Sequence, residues 1–396
     1  MATPSGAGRL KSIGDWSLGD LEAVRLILRG ESVIDWHRLN FDDAKDVRSF
    51  IAANEFFLDD PGDRGRLDRL KAESIDYLRR HFEFPVPKPV ERLPIEDLML
   101  LASGRGHRQL CACTILKCMH IIHHLEGREL LFMLPLSDQE VFHLVEEKIY
   151  RVVGGMLAAG MPITEFIGGR KNKYSLYTKL LSKQENIAAQ IYDKLRFRIV
   201  TRDRGDIFPV LHYLTRKLFP FNYVIPSESV NTIFHLKSYC DSQPQLRMLA
   251  RDERVNFEEE DEFTPSPNTF SAENFRIIHF VVDLPVRVPK EIIADAPPAA
   301  KPLGPVIFVL AEFQIIDRET EAANEQGDAS HERYKERQRQ AVMRRLKLGA
   351  RGLEPADAPS AAMRSAALRS VPPAATPTTT RASQPPPPAD SGPRKR

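Results

Sequence analysis

No stretch of this 396-residue chain strings together the roughly 18 apolar residues that a membrane-spanning helix needs. The opening residues, MATPSGAGRLKSIGDW, hold no apolar core of the kind a secretory leader carries, so a cytoplasmic protein is expected. Cysteine is scarce, and four residues in a chain this long make no disulfide framework. Cys111, Cys113 and Cys118 stand beside His120, His123 and His124, but their spacing, C-x-C-x4-C-x-H-x2-HH, fits no zinc pattern. One apolar helix over this segment would point Cys111 and Cys113 in different directions, which favours small buried side chains over ligands. A strong charge of either sign is also missing, the net being +2. Beyond residue 348 seven basic residues meet three acidic ones, an excess of four, which leaves −2 for residues 1–348. That balance excludes a general nucleic-acid binder.

What is present falls into four parts. Residues 1–15 are small and polar and are expected to be disordered. Residues 16–160 read as an all-helical region, with helical periodicity over 18–28, 43–57, 64–82, 95–103, 108–133 and 137–159. Ser17 and Asp20 resemble a capping box for the first of these. Trp16 and Trp36 read as core anchors. From 161 to 348 short β-rich runs alternate with helices, which predicts an α+β fold, a mixed sheet flanked by helices. The strands are expected at 196–201, 275–286 and 305–317, with helices at 207–219 and 320–348. Two stretches, 240–272 with its acidic run at 258–262 and 289–304 rich in Pro and Ala, read as surface insertions. Residues 349–396, dominated by Pro, Ala, Ser and Thr, are expected to be disordered.

Several residues suggest chemistry. Lys171, Ser175, Lys179 and Lys183 recur every four residues, so a helix would align them, and Gly168, Gly169 and Arg170 precede them. A glycine loop followed by a basic stripe suits polyphosphate, although a lysine face is more often merely solvated. Asp193 precedes a strand whose Arg196 and Arg198 face one way, as a metal-holding carboxylate or as a structural ion pair. Glu312 and Gln314 share a face with Phe308 and Leu310 in an otherwise apolar strand. A carboxylate there is costly unless it meets a cation, which makes Glu312 the most suspicious residue of the chain. Phe275, Ile277 and His279 share a face in turn, for base stacking or for core packing.

In this order these pieces resemble the synthetase domain of the RelA/SpoT family of (p)ppGpp synthetases, a nucleotidyltransferase family. The segment EFQIIDRETEAANEQGDASHERYK is similar to the family's E-V-Q-I-R-T followed by A-E-x-G-x-A-x-H-x-x-Y-K. Glu312, Gln314, Glu325, Gly327, Ala329, His331, Tyr334 and Lys335 fall in register without a gap. GGRKNKYSLYTKL resembles G-R-P-K-x-x-Y-S-I-Y-x-K-M, IYDKLRFRIV resembles Y-D-x-x-A-x-R-I-I, and NFRIIH resembles G-Y-Q-S-L-H. The chain departs from the pattern at several positions. Arg170 directly precedes Lys171, and Arg196 replaces a small residue. Phe275 replaces the guanine-stacking tyrosine, and Ile316 and Asp317 replace an arginine and a threonine. No His-Asp dipeptide of the family's hydrolase domain occurs.

The resemblance implies pyrophosphate transfer from ATP to the 3′-hydroxyl of GDP or GTP, alarmone synthesis of the stringent response. Asp193 and Glu312 would hold Mg²⁺, with Glu312 also taking the hydroxyl proton. Arg170, Lys171, Ser175, Lys179 and Arg198 would bind the ATP phosphates. Phe275, His279 and Gln314 would receive the acceptor. Two alternatives stay open: the same chemistry on an adenosine nucleotide or a tRNA 3′ end, and a non-catalytic nucleotide-sensing or RNA-binding module. The implied partners are ATP and a guanosine nucleotide, with no membrane and no nucleic acid other than tRNA; a homo-oligomer is an open alternative.

Overall fold

A computed structural model describes residues 13–29, 39–170, 172–182, 195–226, 228–251 and 270–350, with side chains to 346. Lys171, Lys183, Asp193, Trp36, the acidic run at 258–262 and the tail from 351 lie outside the described residues. The chain divides into two compact units, Met1–Met343 and Arg344–Arg396.

Among the described residues seven α-helices precede the sheet: α1 (Leu18–Arg29), α2 (Ala44–Ala53), α3 (Pro61–Phe82), α4 (Lys88–Glu91), α5 (Ile95–Ser103), α6 (His107–Met133) and α7 (Asp138–Ala158). Their limits follow local chemistry. Ser17 and Asp20 cap α1 reciprocally: Ser17 N donates to Asp20 Oδ2 at 2.9 Å, and Asp20 N donates to Ser17 Oγ at 3.3 Å. Asp43 caps α2, which stops four residues short of the expected end because Glu55 turns left-handed at φ 64°. Residues Ile13–Asp15, expected to be disordered, form a short 3-10 turn ahead of α1.

Among the described residues the sheet has five strands, β1 (Ile163–Arg170), β2 (Leu195–Thr201), β3 (Val230–Asn231), β4 (Ile278–Arg287) and β5 (Val306–Asp317), in the order β1-β2-β5-β4-β3. Only the β2–β5 pair is parallel. Between the strands run α8 (Lys173–Ser182), α9 (Ile207–Lys217), α10 (Leu236–Ser242), α11 (Pro244–Ala250) and α12 (Lys290–Asp295). The α+β class expected from the sequence is the one observed.

Four expectations need correction. β1 contains Gly168 and Gly169, read from the sequence as a phosphate loop. Gly168 instead permits close strand approach, since a Cβ there would lie 2.6 Å from the Phe197 ring. β4 begins three residues later than expected, because Asn324 binds the Arg276 backbone through both its amide atoms and holds that residue off the ladder. The helix expected over 320–348 is two helices, α13 (Arg318–Asn324) and α14 (His331–Ala350). Gly327, at φ +59°, makes the break. The stretches expected as surface insertions carry core residues: Cys240, Leu246, Ala296 and Ala300 are buried.

Two apolar clusters fill the molecule. One joins α1, α7 and α9 to the sheet around Phe197, Phe280 and Phe313; the other holds α2, α3, α5 and the first half of α6. Cys111 and Cys113 are both buried in the second cluster, as small core side chains of the apolar helix. The second half of α6 crosses the sheet and sets His123 and His124 edge-on against Phe308. His123 is 5% exposed, and neither ring nitrogen has a hydrogen-bond partner. Burial, aided by Arg66, lowers its pKa to about 3, and His120 falls to about 3 through burial and His124.

In the unfolded chain these imidazoles take protons near pH 6.5. The unfolded state therefore binds more protons between pH 6.5 and 3; stability is complete above 6.5 and declines as pH falls toward 3. By pH 4 the stability lost through His123 is expected to be about 3 kcal/mol. Urea unfolding at pH 7 and pH 4 checks this: His123→Leu should flatten the pH dependence, and an unchanged slope would show that His123 is not its source.

Candidate active site

The register of the three central strands places polar side chains in a ladder on one face. Arg196 on β2 pairs with Glu312 on β5, and Arg198 on β2 pairs with Gln314 on β5, which pairs with His279 on β4. Period-two alternation puts these on one side and Phe197, Phe313 and Phe280 on the other, where the apolar cluster lies. The strands thus have an oily underside and a charged upper side at the end where β5 leads into α13.

Glu312 lies at the bottom of the ladder, 2% exposed. Its Oε1 accepts from Arg196 Nε at 3.0 Å and from Gln314 Nε2 at 2.8 Å, and His279 Nε2 lies 3.3 Å away. Arg198 Nε donates to Gln314 Oε1 at 3.2 Å, and its Nη1 stands 3.6 Å from Glu321 Oε1 on α13. Burial raises the Glu321 pKa against the pull of Arg198. His331, the first residue of α14, is held below its ordinary pKa by partial burial and Lys335, with smaller effects from Arg196 and Arg198, which sets it within electrostatic reach of the ladder. A buried carboxylate under a rim of guanidinium and imidazole groups can bind an anion and accept a proton beside it.

The structure brings together Arg198, His279, Glu312 and Gln314. Ser175 and Lys179 lie half-buried on α8, where Asn172 caps the helix by accepting from Tyr174 N at 2.9 Å. Phe275 occupies the turn before β4, half-buried, its N–H donating to Ala272 O at 3.0 Å. Arg170 is not with the others. It pairs with Leu195 and so points to the opposite face, where its Nε stands 3.4 Å from Glu146 of α7 and its guanidinium lies over Phe142. Its one-residue offset from the family pattern has this consequence, because a shift of one along a strand reverses the face. Arg196 and Glu321 belong to the site and were not in the set expected from the sequence. The alternation of Arg196 with Arg198 signalled the first, and nothing in the spacing signalled the second.

The described residues do not by themselves make a cation site. They supply one ladder carboxylate, already met by several donors. No group of three or more His, Cys, Asp or Glu among the described residues is placed to hold a metal.

No family model and no curated protein matches the chain. Solved structures similar to it include the small alarmone synthetase 1 from Bacillus subtilis, 15% identical, with a TM-score of 0.28 over 58% of this chain and 94% of that one. The same synthetase bound to its product pppGpp is 15% identical, with a TM-score of 0.26 over 58% of this chain and 90% of that one. A GTP pyrophosphokinase family protein from Streptococcus pneumoniae is 13% identical, with a TM-score of 0.26 over 52% and 84%. With TM-scores this low, the ladder and the motifs carry the functional reading, not these likenesses. Among the described residues no helix is long and apolar enough to cross a membrane.

Proposed function

We propose that the ladder transfers pyrophosphate from ATP to the 3′-hydroxyl of GDP or GTP. The observation that supports this most is the buried Glu312 carboxylate, bound by Arg196 and Gln314 and flanked by His279, in the motif segment where the family resemblance is gapless. In the reaction a bond forms between the acceptor 3′-oxygen and the β-phosphorus of ATP, the bond from that phosphorus to the α-phosphate bridging oxygen breaks, and AMP leaves. Glu312 takes the hydroxyl proton. Arg196 and Arg198, with Lys171 and Lys179 from the preceding segment, neutralise the phosphates, and Ser175 donates a hydrogen bond to them, since phosphoryl transfer depends mainly on positioning and charge. Phe275 stacks on the acceptor base, His279 contacts the acceptor phosphates, and Gln314 fixes the Glu312 carboxylate. Arg170 is left out, being on the other face. Asp193 and Glu312 would hold Mg²⁺, as the sequence resemblance implies, and the ion would supply charge neutralisation at the phosphates.

The test is thin-layer chromatography of γ-³²P-ATP with purified protein, Mg²⁺ and, separately, GDP, GTP, ADP, ATP and bulk tRNA. Label moving onto GDP or GTP is the expected result. Label on adenosine nucleotides or tRNA alone would overturn the acceptor, and no labelled product with any acceptor would overturn the reaction.

A further inference from the structure

We infer that Arg128 of α6 is the leaving-group contact of this site: its guanidinium, aimed by the buried carboxylate of Asp283, meets the α-phosphate of ATP and neutralises the charge that AMP takes with it. This rests on the reading of the ladder as the place of pyrophosphate transfer. The register of the sheet supports it first. On β4 the residues opposite Gln314, Glu312 and Leu310 are His279, Val281 and Asp283, so Asp283 lies on the ladder face about 7 Å beyond the level of Glu312. The acceptor groups, Phe275 and His279, lie on the other side of that level. β1 leaves the sheet at the Asp283 end, with Arg170 across from Leu195, and α8 with Ser175 and Lys179 follows it. The segment assigned to ATP therefore starts where Asp283 stands. Nucleophile and leaving group lie roughly in line through the phosphorus, so an acceptor held at the His279 end sends AMP out toward Asp283.

The side chains at that end suit a phosphate. Asp283 is 4% exposed; its Oδ2 lies 2.7 Å from His124 Nε2, while its Oδ1 is buried without a hydrogen bond, 3.7 Å from Arg128 Nη1. The carboxylate thus orients the guanidinium without saturating it. Among the described residues the one hydrogen bond of Arg128 runs from Nη1 to Phe308 O at 3.4 Å, and 36% of its side chain is exposed. Arg287, four residues further along β4, contrasts with it: both Asp63 carboxylate oxygens and Glu55 O occupy its donors. A guanidinium forks onto phosphate oxygens with two parallel bonds. When the bond from the β-phosphorus to the bridging oxygen breaks, the electron pair stays on that oxygen, and Arg128 neutralises it as AMP departs. Arg128 lies outside the segment that resembles the family, so the helical region supplies this part of the site.

The experiment has two arms, both on the full chain and its Arg128→Met variant. In the first, AMP, adenosine and GDP are titrated calorimetrically. Arg128→Met is expected to bind AMP about tenfold more weakly, as for one hydrogen bond between charged groups, with adenosine and GDP binding unchanged. In the second, steady-state kinetics with ATP and GDP should show kcat about a hundredfold lower in the variant, as for loss of one donor to a developing oxyanion, while the KM for GDP stays within about threefold. No AMP binding by the unaltered protein would overturn the contact, as would equal losses for AMP and adenosine. If Arg128→Met fails to fold, Arg128→Lys replaces it, keeping the charge and losing the fork, with a partial loss expected and no loss contradicting the inference. AMP binding that depends on Arg128 in a chain that forms no product would remove the reaction and leave an adenylate contact; product formation at the full rate by Arg128→Met would do the reverse.

Discussion

Glu312→Gln is expected to lower turnover by about a thousandfold, the middle of the range for removing a positioned general base. The substitution is nearly isosteric. The amide oxygen can still accept from Arg196 Nε and Gln314 Nε2, which reach Glu312 Oε1 at 3.0 and 2.8 Å. It takes away the negative charge of a group that is 2% exposed, where hydration compensates little. Stability should therefore hold while chemistry fails. Glu321→Gln is the companion variant. Glu321 meets Arg198 at 3.6 Å on the rim, its side chain 21% exposed, and takes no proton in the scheme. Its effect on turnover is expected to stay within about tenfold, as for a partly exposed ion pair. Steady-state kinetics on both variants, beside circular dichroism, separates the cases. Retention of a tenth or more of the activity in Glu312→Gln would remove Glu312 from the chemistry.

The second large effect concerns the attachment of the helical region to the sheet. Lys148 of α7 is 5% exposed, stands 2.6 Å from Glu55 after α2 and donates to Pro285 O of β4 at 2.5 Å. Burial lowers its pKa and Glu55 opposes that shift, so the ammonium depends on its partner. Near it Arg287 of β4 binds both Asp63 carboxylate oxygens, at 3.0 and 2.8 Å, and donates to Glu55 O at 2.6 Å. Lys148→Met leaves the Glu55 carboxylate buried without its ammonium partner, at an expected cost of about 3–5 kcal/mol. For a chain of this size that lowers the melting temperature on the order of 10 °C. The double variant Lys148→Met/Glu55→Leu should recover most of the loss, because a packed apolar pair replaces an ion pair at little net cost. A single-variant loss below about 1 kcal/mol would show the pair to be as weak as one on the surface.

The central strands and most helices are legible in the sequence, since β4 and β5 are largely runs of Val, Ile, Leu and Phe and β2 alternates Arg with Phe, Ile and Val. β1 is not. ITEFIGGR has an irregular pattern with two glycines, of which Gly168 serves close strand approach. β3 is two residues long and has no period to read. The ladder was readable wherever alternation alone decides it: Glu312 with Gln314, and Arg196 with Arg198. Cross-strand register is what joins these pairs to each other and to His279, and register is fixed by tertiary pairing that no local pattern encodes. The same cause misplaced Arg170. Motif order put it among the phosphate ligands, while its position in the pleat turns it to Glu146. Glu321 reaches Arg198 from the first turn of α13, whose start is fixed by the cap at Asp317, where Oδ1 accepts from Thr320 N at 3.0 Å.

The measurement that bears most directly on pyrophosphate transfer at this ladder is ³¹P nuclear magnetic resonance of the reaction of ATP with GDP, run with the unaltered protein and with Glu312→Gln. The account predicts AMP and a 3′-pyrophosphorylated guanosine nucleotide appearing in equal amounts, and neither in the variant. ADP as the co-product would mean that a single phosphoryl group moves, and an unaffected variant would mean that the chemistry lies elsewhere in the molecule.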